Sequence, residues 1–231
     1  MPFTISPDVD AMLAAQIEEM RRQAEAHKKV PERPRPFVTV SREFGCQGYP
    51  MSESLYRKLN ERQGDGARWT IWDRELATKV AEASGISSDL LEALSAEQRS
   101  VMLQVAEEFF GNRPSDFQVY EALFQVLYGL AQTGHVILLG HGAAVATNSI
   151  DAGIHVRIYG SQAFRVRKLM DAHGISESAA REMARAGEAE REAFVRKYAN
   201  ADIRDPQHYH LVLNNDLLSP DEMAEITVRL L

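Results

Sequence analysis

One cysteine, Cys46, stands in 231 residues. An internal disulfide is therefore excluded, and a reducing compartment is the matching setting. The chain also lacks any apolar run of membrane-spanning length, and its acidic start, MPFTISPDVD, has neither the basic nor the apolar region of a signal peptide. These absences predict a cytoplasmic protein with no membrane partner. Positive charge is short as well: 26 Lys and Arg face 33 Asp and Glu, for a formal net charge of −7. A nucleic-acid binder needs a net or strongly patched positive surface, so no nucleic-acid partner is expected. A polyphosphate ligand would have to be held by local arginines. No metal site is predicted either, because His208 and His210, read as pointing the same way on a strand, have no third ligand beside them. Internal repeats and low-complexity segments are absent.

What is present begins with a hydrophobic fraction of 45%, enough to bury a sizeable core in one domain, or in one domain with a small insertion. The stretch around which the rest is organised runs from Phe37 to Leu59. Phe37 to Val40 form a short β-prone run, Gly45 and Gly48 break it, and Pro50 opens a segment with helical spacing at Met51, Leu55 and Leu59. Pro50 suits a first helical position, where its missing N–H is not needed. A loop between strand and helix points several unfilled N–H groups together and so readily holds an anion, above all phosphate; an ordinary strand-to-helix turn is the other reading. The full GxxxxGK[ST] motif is not met in either register. Gly48 and Tyr49, or Tyr49 and Pro50, fall where the lysine and hydroxyl should stand. Ser52 lies one turn on, within reach of a metal-bound water, and Arg42 or Arg74 could supply the missing charge.

Along the chain, Asp8 to Lys29 reads as a helix, either packed on the domain or serving oligomerisation, in which case two copies would pair as a homodimer. The proline-rich PERPRP then marks a stiff connector, and the folded domain is expected to start at Phe37, leaving residues 1–36 as helix and linker. A turn at Gln63 to Gly66 leads to a second strand, Trp69 to Trp72, ending at Asp73. That residue could orient a substrate, hold Mg²⁺ through water, or cap the helix from Arg74 to Ser84. Ile86 to Thr133 is helical almost throughout. Its apolar stripes, Val101, Val105, Phe109 and Phe110, then Tyr120, Phe124, Leu127 and Leu130, read as core.

The unbroken run Val136 to Leu139 fits a central parallel strand, and Gly140-His141-Gly142-Ala143 after it allows close approach of a ligand. Ile154 to Tyr159 forms the fourth strand, and Ser161 caps a helix to His173. A second helix, from Ser176 to about Asn200, follows Gly174. This pair is rich in arginine. Arg185, Glu188 and Arg191, at i, i+3 and i+6, share a face that could close over a ligand. His208 to Asn214 is the last strand, and Ser219 and Pro220 open the final helix.

Alternating strands and helices, a glycine loop after the first strand and a basic hairpin before the last make an α/β, P-loop kinase-like layout. The sequence also resembles the cytidylate kinase-like proteins, through Ser41-Arg42-Glu43-Phe44-Gly45 with Gly48, Trp72-Asp73-Arg74-Glu75-Leu76, Gly140-His141-Gly142-Ala143, Phe164-Arg165, and Tyr209-His210-Leu211-Val212-Leu213-Asn214. The resemblance implies a three-layer fold with a five-stranded parallel sheet, a helical insertion and a mobile helical lid at about residues 174–204, within a domain of residues 37–231. It implies ATP and Mg²⁺ as cofactors and a nucleotide or small-molecule phosphate acceptor. Arg42, Gly45, Cys46, Gln47, Gly48 and Ser52 would then bind the donor. Asp73, Arg74, Gly140, His141 and Gly142 would hold the acceptor, and Arg165, Arg185, Arg191 and Asp73 would act in transfer. Three departures stand out: the loop lysine is missing, His141 stands where the family has arginine, and Glu188 where it has aspartate.

The expected activity is phosphoryl transfer from ATP to a nucleoside monophosphate, CMP-like, or a similar acceptor. The alternative is a catalytically degenerate nucleotide sensor or assembly module of the same fold. A third reading takes Cys46 as a regulatory thiol, activated near a helix N-terminus, or simply as a small loop residue.

Overall fold

The computed structural model describes residues 35–63, 68–73, 118–140 and 142–231. The N-terminal helix and PERPRP connector, the Gln63 to Gly66 turn beyond Gln63, the helix from Arg74 and most of the Ile86 to Thr133 stretch lie outside them. Two compact units divide the chain, one of residues 1–35 and 74–134, the other of residues 36–73 and 135–231.

In the first unit, the helix α2 (Gln118–Thr133) follows three elements of the second: the strand β1 (Phe37–Arg42), the helix α1 (Gly48–Gln63) and the strand β2 (Thr70–Trp72). Phe124, Leu127 and Leu130 are buried along α2, as their helical spacing predicts, and Leu123 is buried with them. The rings of Phe124 and Tyr128 stack one turn apart at 6.0 Å.

The second unit continues with β3 (Val136–Leu139), the short α3 (Ala143–Ala146), β4 (Gly153–Tyr159), α4 (Gln162–His173), α5 (Glu177–Ala199), a 3₁₀ turn at Pro206–His208, β5 (Leu211–Asn214) and α6 (Pro220–Val228). Its five strands are all parallel, in the order β2-β3-β1-β4-β5. Every residue of β3 is buried, which suits an apolar run one place in from the edge of a parallel sheet. Alternation assigns the two faces of the sheet. Val38, Val40, Ile137, Leu139, Val156, Ile158 and Leu213 pack with Met51, Leu55 and Leu59 of α1 and with Met223 and Ala224 of α6. Out of phase with them, beside the apolar Phe37, Val136 and Leu138, β1 and β4 carry polar residues that are buried: the register sets Thr39 beside His155 and Ser41 beside Arg157.

Helix boundaries depart from expectation at two places. Gly48 opens α1, two residues ahead of Pro50, which is harmless because no N–H of the first turn has an intrahelical acceptor. At the other end of the chain, β5 starts only at Leu211. Asp205 accepts from the Gln207 N–H at 2.9 Å and Pro206 presets the backbone, so His208 closes a 3₁₀ turn rather than lying on a strand. The two histidines therefore share no strand face. His210 instead accepts the His155 N–H through Nδ1 at 3.0 Å.

The α4–α5 hairpin is well punctuated. Ser161 and Ser176 cap the two helices, accepting from the Phe164 and Ala179 amides, and Gly174 ends α4 in the left-handed region. A small core of Val166, Leu169, Ala180 and Ala184 joins them. Ser219 and Glu222 complete a capping box on α6.

Candidate functional site

From β1 the chain passes across β3 to β2, whereas from β4 it continues outward to β5. The carboxyl ends of β1 and β4 thus diverge, and an open α/β sheet offers its ligand crevice at such a switch point. The loop Glu43 to Gln47 lies there, only five residues between β1 and α1. Glu43 donates its N–H to the Ile158 carbonyl at 2.9 Å. Its carboxylate accepts from the Gly160 N–H at 3.1 Å and lies 3.4 Å from Nε of Arg165. Arg165 donates in turn to the carbonyls of Gly160, at 3.1 Å, and Phe44, at 3.3 Å. Gly45, at φ 93°, lets the loop lie on α4, since a Cβ there would come within 2.9 Å of the Arg165 Cβ and carbonyl oxygen. Arg165 and Gly45 therefore clamp the loop to the start of α4.

The unfilled nest expected of this loop is not what forms. The Phe44 N–H donates to Glu188 Oε2 at 2.7 Å and the Gln47 N–H to Asn215 Oδ1 at 2.8 Å. Those of Cys46 and Gly48 reach the carbonyls of Glu43 and Cys46, at 3.1 and 3.0 Å. A loop this short turns tightly enough to satisfy two of its own amides, and side chains from α5 and the end of β5 fill two more. Ser52 is fully buried and donates to the Gly48 carbonyl at 2.9 Å, back-bonding within its helix.

Arginines nevertheless gather here. Arg191 of α5 donates to the Arg42 carbonyl at 3.2 Å and carries its guanidinium 4.8 Å from the centre of the Phe44 ring. The Arg42 guanidinium lies against Gly140, where a Cβ would fall 2.2 Å from Nη1. Arg157 is buried on β4; it donates to Ser41 Oγ at 3.2 Å and approaches Glu188 Oε1 at 3.8 Å. Arg185 does not join them. Exposed, it pairs at 2.6 Å with Glu182, whose carboxyl it holds below the usual range. Steps of three residues drift about 60° around a 3.6-residue helix, so Arg185 and Arg191 end up on different sides of α5.

Cys46 is no activated thiol. Burial, with Glu43 next in weight, pushes its pKa up to about 12, so it stays protonated. Asp73 follows β2 at the same end of the sheet and is close enough to Tyr49, in the first turn of α1, to add to burial and Glu53 in raising that phenol's pKa. Gly140 and Gly142 both hold positive φ, the latter starting α3, while Arg74 and His141 lie outside the described residues. Among the described residues no three His, Cys, Asp or Glu side chains are placed to hold a metal, and no helix is long and apolar enough to cross a membrane.

Two contributors escaped the sequence reading. Arg157 is a charge inside an otherwise apolar strand, two residues from His155, and that alternation was the available signal. Asn215 is the second of an Asn pair leaving β5; nothing in its spacing points to the loop it bonds.

Comparison with known proteins gives a consistent placement. No curated protein matches the chain. An uncharacterized protein from Eubacterium ventriosum ATCC 27560 is 17% identical, overlaps with a TM-score of 0.62, and aligns over 85% of this chain and 96% of its own. That likeness extends to the fold. A shikimate kinase from Bacteroides thetaiotaomicron is 16% identical over 84% of this chain and 94% of its own, with a TM-score of 0.43, an overlap too loose to bear on function. The cytidylate kinase-like family matches residues 37–217, from the first residue of β1 to just beyond β5. On that match, which takes in the whole sheet, the loop after β1 and the arginine-bearing hairpin, the chain belongs to the cytidylate kinase-like family.

Proposed function

We propose that the protein is a nucleotide kinase-like phosphotransferase that moves a phosphoryl group from ATP to a nucleoside monophosphate, CMP-like, or a similar small acceptor. One observation carries this reading: at the switch point of the sheet Arg165 and Arg191 hold Phe44 of the short loop, by its carbonyl and its ring, while Arg42 and Arg157 lie beside them against Gly140 and Ser41. Phosphoryl transfer asks little covalent chemistry of a protein. It asks for alignment and for neutralisation of charge on the phosphoryl oxygens, which fixed guanidinium forks supply. Arg191 and Arg165 are the groups suited to the transferred phosphoryl, with Gly45 to Gly48 and Arg42 toward the donor. Asp73, with Arg74, Gly140, His141 and Gly142, is assigned to the acceptor side. The segment of about residues 174–204, which contains α5, is assigned the part of a lid that excludes water.

The fit of Mg²⁺ follows from its chemistry. It is commonly held by one or two carboxylates together with substrate phosphates rather than by an all-protein cage, so the lack of a three-ligand cluster among the described residues is compatible with it. Asp73 is the carboxylate assigned to it. Arriving on the nucleotide, the ion would offset charge on the phosphate oxygens.

A specific observation favours a second reading, a nucleotide-binding sensor or assembly module without turnover: the loop has no lysine and its amides at Phe44, Cys46, Gln47 and Gly48 are already bonded. Incubation with labelled ATP, Mg²⁺ and a panel of nucleoside monophosphates separates the two. Transfer lost in Arg191→Ala is the result expected of the kinase. Tight ATP binding with no transfer to any acceptor would overturn it in favour of the sensor.

A further inference from the structure

The contact between α5 and the loop has the form of a protein carboxylate sitting where an anionic ligand would sit. Glu188 presents two oxygens to two different donors. Oε2 takes the Phe44 N–H at 2.7 Å, the length of a charge-assisted bond, and Oε1 faces the Arg157 guanidinium at 3.8 Å. The second distance is too long for a hydrogen bond. Among the described residues Arg157 hydrogen bonds only Ser41 Oγ, although its side chain is 5% exposed. The guanidinium also lies 5.8 Å from the centre of the Tyr209 ring, so it pairs with Glu188 by charge without spending a hydrogen bond on it.

Neighbouring residues of α5 hold the carboxylate in place. The Phe44 ring fills a notch over Gly187, and Arg191, one helical turn on, covers that ring and donates to the Arg42 carbonyl. Residues 187, 188 and 191 thus grip residues 42 and 44 from one stretch of helix.

We propose that Glu188 is the resident anion of a phosphate site made by the Phe44 N–H and Arg157. A nucleotide polyphosphate would displace it, and α5 must let go of Phe44 for that to happen. This rests on the nucleotide-binding reading above and adds to it a built-in competitor and a phosphate ligand, Arg157, which the sequence did not single out. A phosphate brings more negative charge and more acceptor oxygens than a carboxylate, so it can reach Arg157 while keeping the amide. Glu188 recovers its solvation once it swings out, which keeps the competition reversible.

Calorimetric titration of the full chain with inorganic tripolyphosphate and with ATP·Mg²⁺ tests this, using the wild type, Glu188→Gln and Glu188→Gln/Arg157→Met. Circular dichroism of each variant checks that it is folded, and the ¹H–¹⁵N resonance of Phe44 is followed in parallel. Expected are at least a tenfold tighter Kd in Glu188→Gln, loss of that gain in the double variant, and a shift of the Phe44 amide on binding. Equal affinity in wild type and Glu188→Gln would overturn the resident anion while leaving nucleotide binding intact. Binding by neither would overturn both.

Discussion

Gly187 on α5 touches the ring of Phe44 in the loop so closely that a Cβ on Gly187 would stand 2.1 Å from Cδ2 and 2.3 Å from Cε2. The contact ties the arginine-bearing helix to the loop between β1 and α1. It also explains a glycine in the middle of a 23-residue helix, where alanine would otherwise be favoured by about 1 kcal/mol.

Gly187→Ala is therefore expected to lower stability despite its better helix propensity, by roughly 1–3 kcal/mol, the usual cost of forcing extra volume into a packed contact. The ring is stiff and cannot fold away as a long side chain would. Thermal unfolding of Gly187→Ala, Phe44→Ala and the double variant checks it: the penalty should be smaller when Phe44 is already truncated.

Asn215 binds the loop from the end of β5, accepting the Gln47 N–H and donating to the Leu218 carbonyl at 3.1 Å. Asn215→Ala would orphan both partners, and a loss of about 1–3 kcal/mol in urea unfolding is expected. Asn215→Asp, which keeps the acceptor but not the donor, should fall between that variant and wild type.

His155 is buried between Thr39 Oγ1, 2.9 Å from Nδ1, the edge of Phe37 and the ring of His210 at 5.2 Å. Burial first, then the charges of His210 and His208, lower its pKa from 6.5 to about 4. A folded-state value below the unfolded one means that the unfolded chain binds more protons in this range, so acid favours unfolding. The contribution of His155 is fully present above pH 6.5 and disappears as the pH falls toward 4. It amounts to about 3 kcal/mol at the conversion of 1.36 kcal/mol per pH unit. Unfolding free energies measured from pH 7.5 to 4 should decline more steeply for wild type than for His155→Asn.

Cys46 should alkylate slowly with iodoacetamide at pH 8 in the native protein and quickly in urea, because the native thiol, at about 12, supplies almost no thiolate. Native labelling as fast as in urea would contradict the burial described for it.

Much of the architecture was legible because local physics decides it. Four- to seven-residue runs such as Phe37 to Val40 and Val136 to Leu139 become strands wherever they can be covered on a parallel sheet. Ser161, Gly174, Ser176 and Ser219 mark helix ends through bonds to amides three residues on or through left-handed backbone. Boundaries at Gly48 and Leu211 were less legible, since Pro50 marks a first turn without saying which residue of it comes first, and the Asp205 carboxylate draws Pro206 to His208 into a 3₁₀ turn ahead of the strand.

The sequence by itself determined the order of strands and helices, the places where helices stop, and the concentration of arginine between β4 and β5, because each depends on residues a few positions apart. It also named Glu188 and Arg191 as neighbours on one helix. Only the tertiary structure decided what those neighbours meet. The Phe44 amide and Glu188 are 144 residues apart in the chain, and Gln47 and Asn215 are 168 apart. No spacing rule links them; they meet because the sheet order brings the ends of β1, β4 and β5 side by side, and a loop of only five residues must look to those neighbours for its hydrogen bonds.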